Sequence, residues 1–64
     1  MDFAKTLLEF RAKHNLTQTQ LAELLGVGIV MIHKYEHGIN NPSAVNRIRF
    51  AQKMEAYERS AKNV

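Results

Sequence analysis

The sequence predicts an all-α fold of four or five helices in one domain, residues 1–64. Three observations support this class: apolar residues recur at helical spacing, capping residues precede those runs, and asparagine or glycine follows them. A chain of 64 residues supports one hydrophobic core, and a chain of this size buries only about 60% of its unfolded surface. We therefore expect the helices to pack around one shared core.

Composition excludes several classes of protein. The chain has no cysteine, which excludes a disulfide framework, a thiolate metal site and a cysteine nucleophile. Its net charge of +3 suits a polyanionic partner. The longest apolar run, 24–32, contains two glycines and is shorter than the roughly 20 residues of a membrane helix. With no recognisable signal peptide, the chain is expected to be soluble and without membrane contact, and the absence of cysteine is compatible with a cytoplasmic location.

The first helix is predicted from a cap at Asp2 to about His14, with Asn15 as the left-handed residue that ends it. Its inward face carries Phe3, Leu7, Phe10 and Arg11. Thr17 and Gln20 form a capping box, so the second helix is expected over 18–25. Its inward residues are Leu21, Ala22 and Leu25.

The third helix is predicted over about 29–37, after a turn at 26–28 and before a C-terminal cap at Gly38. At 100 degrees per residue, Ile32 and Tyr35 point inward. The outward face carries Val30, His33 and His37, and it is flanked by Ile29 and Lys34. This outward face is the candidate binding site.

The fourth helix is predicted over about 43–61, with Pro42 in its first turn and Asn41 or Ser43 as its cap. Two apolar stripes run along it. The first, taken as the inward face, contains Ala44, Ile48 and Ala51. The second either packs against the first helix or forms a candidate dimer or partner surface; it contains Phe50, Met54 and Tyr57.

The central motif resembles the phage repressor and Cro type (Xre-like) of helix-turn-helix domain. The resemblance covers about residues 7–51 and depends on Thr17, Gln18, Leu21, Ala22, Leu25, Gly26, Ile32, Tyr35, Glu36 and Gly38. It implies a lambda-repressor-like fold with a central helix-turn-helix and a long C-terminal helix. It also implies a bacterial or phage transcription regulator that binds a double-stranded DNA operator as a homodimer.

The same resemblance implies roles for individual residues. Arg11 and Glu36 would form a partly buried structural ion pair. The third helix would enter the major groove, where Gly28, Ile29, Val30, His33 and Lys34 match base-reading positions. Phosphate contacts would come from Gln18, His37, Asn40 and Asn41.

The third helix departs from the family pattern, because its leading residues are apolar. Base edges are usually met by hydrogen-bond donors and acceptors, whereas Ile29, Val30 and Met31 offer an exposed apolar strip. Such strips often bind protein partners. A second hypothesis is therefore a modulator or antirepressor that uses this helix to occlude a partner repressor.

The sequence gives little support for a metal site, for catalysis or for a phosphate-binding loop. His33 and His37 lie four residues apart, but they lack a third nearby ligand, so no metal site is expected. No serine or threonine has a credible base, and the glycines form no phosphate-binding loop. The sequence predicts neither an enzyme nor a bound cofactor.

Overall fold

The computed structural model describes residues 2–62, and this part of the chain forms four α-helices without a strand. They are α1 (Phe3–His14), α2 (Gln18–Leu25), α3 (Ile29–Glu36) and α4 (Ala44–Lys62). The all-α prediction is confirmed, with four helices and not five. Met1, Asn63 and Val64 belong to the predicted domain but lie outside the described residues.

Short side chains cap three of the helix starts. The Asp2 carboxylate accepts from the Lys5 amide at 3.4 Å at the start of α1. At α2 both bonds of the capping box form, 3.0 Å from the Gln20 amide to the Thr17 hydroxyl and 2.9 Å in return. These caps satisfy amides that a helix leaves without internal partners, so the helix starts are encoded locally.

The first three helices end in the same way. Asn15, Gly26 and Gly38 follow α1, α2 and α3 with φ of 55°, 73° and 70°. After each one, the next amide donates to a carbonyl five residues earlier, at 2.9, 3.0 and 2.9 Å. This is the Schellman arrangement, which favours glycine or asparagine because the left-handed conformation strains other residues. The predicted ends of α1 and α2 are confirmed, whereas α3 ends at Glu36, one residue before the predicted end, with His37 as its cap and Gly38 as the left-handed residue after it.

The start of α4 differs from the prediction. The Ser43 hydroxyl accepts from the Asn46 amide at 3.2 Å, which makes Ser43 the cap and Ala44 the first helical residue. Pro42 therefore lies before the cap and outside the first turn of α4. Its side chain is buried. The prediction that Pro42 opens the helix is wrong by two residues, although the alternative of Ser43 as cap holds.

One hydrophobic core joins all four helices. The inward residues predicted for α1, α2 and α3 are buried, except Arg11, which is partly exposed. Leu7, Leu21 and Ile32 are completely inaccessible. The core contains Phe3, Leu7, Phe10, Leu21, Ala22, Leu25, Ile32, Tyr35, Phe50 and Met54.

The faces of α4 are the main correction to the sequence analysis. Ala44, Ile48 and Ala51, predicted to point inward, are exposed, and Ile48 is 60% accessible. The second stripe faces the core instead: Phe50 is 5% accessible, and its ring lies 6.1 Å from those of Phe3 and Tyr35. Aromatic rings bury far more apolar area than alanines, so they determine the helix rotation.

This rotation also removes the candidate dimer surface. Phe50 and Met54 are buried within one copy of the chain, so they are not available to a second copy. Tyr57 is half-buried, with its ring 5.9 Å from Phe10. The alternative in which this stripe packs on α1 is the correct one.

Polar contacts fix both halves of α4. The Lys53 ammonium donates to the Leu25 carbonyl at the end of α2, at 3.2 Å. Nearer the C-terminus, the Glu58 carboxylate accepts from Lys13 at 2.7 Å and lies 3.4 Å from His14. The hydrogen bond from Lys13 holds the pKa of Glu58 below its ordinary value. These contacts tie α4 to α2 and to α1.

The assignment of the α4 faces predicts unequal effects of two alanine substitutions. Phe50→Ala should lower the free energy of unfolding by about 3–5 kcal/mol, because it opens a cavity in the core. The matched control Val45→Ala removes a side chain that is 60% accessible on the same helix and should change stability by less than about 0.5 kcal/mol. Urea denaturation followed by circular dichroism measures both, and the reverse order would contradict the assignment.

The Lys13–Glu58 contact predicts a pH dependence. Because the folded-state pKa of Glu58 is lowered, its stabilising effect is complete above the ordinary value of 4.5 and is lost as the pH falls through the folded-state value. Wild type should therefore melt at a higher temperature than Glu58→Gln at pH 7, and this difference in melting temperature should disappear in acid. In a Lys13→Met background, the difference at pH 7 should be smaller. A difference that does not change with pH would exclude the carboxylate as its cause.

Candidate nucleic-acid interface

One buried carboxylate positions the helix-turn-helix. Glu36, at the end of α3, has a side chain only 3% accessible and accepts two hydrogen bonds from Arg11 on α1, at 2.6 and 3.0 Å. The ion pair implied by the family resemblance is therefore present. The bidentate geometry fixes distance and orientation together, so the pair sets the angle between α1 and α3.

Gln18 completes this network. Its side-chain amide donates to the same Glu36 carboxylate at 2.9 Å, and Arg11 donates to the Leu16 carbonyl at 3.3 Å. The first residue of α2 is thereby bonded to the last residue of α3. Sequence reasoning assigned Gln18 only to a phosphate and missed this internal contact. Nothing in the local pattern marks it, because the partners lie 18 residues apart.

The outward face of α3 is accessible along its length. Ile29 and Val30 are exposed, with Val30 at 64%, and His33 is exposed one turn later. Lys34 is half-buried at the edge of this face. The His33 and His37 rings lie 4.2 Å apart, so they form one continuous surface past the helix end. The structure thus brings most of the predicted base-reading residues to one surface.

Gly28 caps α3 without a side chain. Its φ of −75° is ordinary for any residue, and a Cβ placed there would meet nothing within 4 Å. Neither backbone strain nor internal packing therefore requires glycine at this position. Its effect is to leave the start of α3 uncovered, so that another molecule can approach the backbone closely.

The loop after α3 divides into exposed and folded-back residues. Asn41 is exposed, as a phosphate-contacting residue would be, and Ile39 is 64% accessible. Asn40 is half-buried, and its amide lies 3.9 Å from the Met31 sulfur on α3. Ile39 is therefore a further exposed apolar residue after α3, which the sequence analysis did not assign to the site.

The charge of this surface favours anions. Between residues 28 and 41 the sequence contains one acidic residue, Glu36, which is buried and paired with Arg11. Lys34 contributes a positive charge at the edge of this face. No exposed carboxylate in this segment would repel a phosphate backbone.

Residues 2–62 contain neither a membrane-spanning helix nor a metal-binding cluster. No helix there is long and apolar enough to cross a membrane. Among the same residues, no group of three histidine, cysteine or acidic side chains could hold a metal ion.

Comparison with known families identifies the domain. A family described as helix-turn-helix, of the Cro type, matches residues 7–55, well over half of the chain. The chain belongs to this helix-turn-helix family. It is a DNA-binding helix-turn-helix regulator with an all-α, lambda-repressor-like fold. No match was found among curated proteins or among solved structures.

The Glu36 network predicts graded losses of stability. Arg11→Met leaves the buried carboxylate without its ion partner and should lower the free energy of unfolding by about 3 kcal/mol. Gln18→Ala removes one hydrogen bond to the same carboxylate and should cost about 1 kcal/mol. The control Arg59→Met breaks the exposed ion pair between Arg59 and Glu55 on α4 and should stay within about 0.5 kcal/mol of wild type. Equal losses in all three variants, measured by urea denaturation, would contradict this role for Glu36.

Proposed function

We propose that this helix-turn-helix protein is a sequence-specific transcription regulator of the phage repressor and Cro type, with α3 in the major groove of a DNA operator. The observation that carries the proposal is the exposed face of α3, which bears Lys34, begins at an uncovered glycine and has no exposed acid. The major groove admits one α-helix and displays a distinct pattern for each base pair.

The composition of α3 limits how it would read bases. Ile29 and Val30, both exposed, would pack against thymine methyl groups, and this reading favours A·T pairs. His33 and Lys34 would donate to guanine on the next turn of the helix. The operator half-site would therefore combine an A·T-rich step with a guanine contact.

Phosphate contacts would surround this helix. The backbone at Gly28 and the side chains of His37 and Asn41 lie on exposed positions before and after α3. Gln18 and Asn40 are each half-buried and each have an internal partner, so they would present only part of their polar groups to DNA. Such contacts fix the register of the protein on the duplex.

A homodimer on a two-fold operator is part of this proposal. A single α3 offers few polar groups, and each good bidentate base contact discriminates by only about 1–3 kcal/mol. Two copies on adjacent half-sites double the number of base contacts. Dimeric regulators of this geometry bind half-sites about one helical turn apart.

A second candidate function depends on the apolar strip. Ile29, Val30 and Ile39 are exposed large apolar residues on or beside α3. A modulator or antirepressor would use this strip to bind a partner repressor and cover its DNA-reading face. Val30→Glu would then abolish that complex while leaving the helical circular dichroism unchanged.

DNA binding predicts a response to salt and to one lysine. Affinity for an operator fragment, measured by gel shift, should fall steeply as salt rises, because phosphate contacts release counterions. If Lys34 contacts a phosphate, Lys34→Ala should weaken binding to all sequences and reduce the slope of log affinity against log salt by about 1. If it reads guanine, the loss should be confined to sequences with that base.

The charge-matched control is Lys5→Ala, on α1 outside the helix-turn-helix, which should leave specific affinity unchanged. Salt-insensitive binding, or equal effects of the two lysine substitutions, would contradict α3 as the DNA-reading helix. Absence of operator binding together with a tight, Val30-dependent complex with a repressor would favour the second candidate function.

A further inference from the structure

The outward face of α4 carries apolar residues that the core does not use. Val45 and Ile48 are each 60% accessible, and Ala44 and Ala51 are exposed beside them. Ala44, Arg47, Ile48 and Ala51 line a shallow surface groove. Exposed apolar side chains grouped on one helix face indicate a partner surface.

These residues lie along one face of α4. Ala44, Ile48, Ala51 and Glu55 follow one another at intervals of four, three and four residues. Each interval is about one helical turn, so the four side chains form one continuous stripe. We call this stripe, together with Arg47 beside it, the α4 seam. Its alanines would let a second helix approach closely.

Charge along the α4 seam selects the orientation of that helix. The first turn of α4 contains no acidic residue, and Arg47 lies near this end. Glu55 lies toward the other end, where its exposed carboxylate accepts a hydrogen bond from Arg59 of the same chain at 2.7 Å. If Ala51 of two copies meets at a two-fold axis with the helices antiparallel, Arg47 and Glu55 are each four residues from the axis. Each arginine then faces a glutamate of the other copy.

We propose that the α4 seam is the surface through which two copies of this chain associate, antiparallel, around Ala51. A parallel pairing would place Arg47 against Arg47, which like-charge repulsion disfavours. The antiparallel pairing is two-fold symmetric and self-complementary, as a dimer interface between identical chains requires. This inference rests on the homodimer in the proposed function and assigns its surface.

Charge reversal tests the α4 seam directly in solution without DNA. Arg47→Glu and Glu55→Arg should each weaken the dimer about tenfold, because each turns two attractions across the axis into repulsions. The double variant restores opposite charges and should recover wild-type association. Ile48→Glu should abolish the dimer. Sedimentation equilibrium measures the mass, and circular dichroism verifies that each variant is folded.

Val30→Glu is the matched control, since it places a charge on an equally exposed apolar position of α3. It should sediment as wild type does. A monomeric wild type, unchanged mass in Ile48→Glu, or failure of the double variant to recover association would each overturn the α4 seam. The sedimentation experiment contains no DNA, so it tests the α4 seam independently of operator binding. A protein that dimerises in solution but binds no operator would refute the proposed function and leave the α4 seam intact.

Discussion

The carboxylate of Glu36 is the contact on which the geometry of the candidate site depends. It accepts bonds from Arg11 on α1 and Gln18 on α2 while belonging to α3. A buried ion pair adds little net stability, because desolvation offsets much of its attraction, but its bonds require defined positions of both partners. The network therefore constrains the orientation of α3 relative to α1 and α2. A helix that reads base edges needs such a fixed orientation.

Apolar side chains lie both in the core and on the surface of this domain. Inside, aromatic rings from α1, α3 and α4 meet at centroid distances near 6 Å, and they determine how the helices pack. Outside, α3 and α4 each leave large apolar residues in solvent. A small domain gains stability from every buried apolar group, so retaining these residues on the surface is a cost that a function would explain.

Local features were predictable from the sequence, whereas the rotation of α4 was not. Caps such as Thr17 and the left-handed ends at Asn15 and Gly38 act within a few residues, so their chemistry is visible in the sequence. The stripes containing Ile48 and Phe50 both satisfy helical periodicity. The choice between them depends on Phe3 and Tyr35, more than 10 residues away. Likewise, the amide of Gln18 is held by a distant carboxylate.

Selection from a pool of random DNA duplexes tests the central claim, that α3 reads a DNA sequence, most directly. The protein is incubated with the pool at low salt, and bound duplexes are recovered and sequenced over several rounds. The account predicts enrichment of a two-fold symmetric site with half-sites about one helical turn apart, lost in the Val30→Glu variant. Recovery of duplexes without any enriched sequence would contradict it.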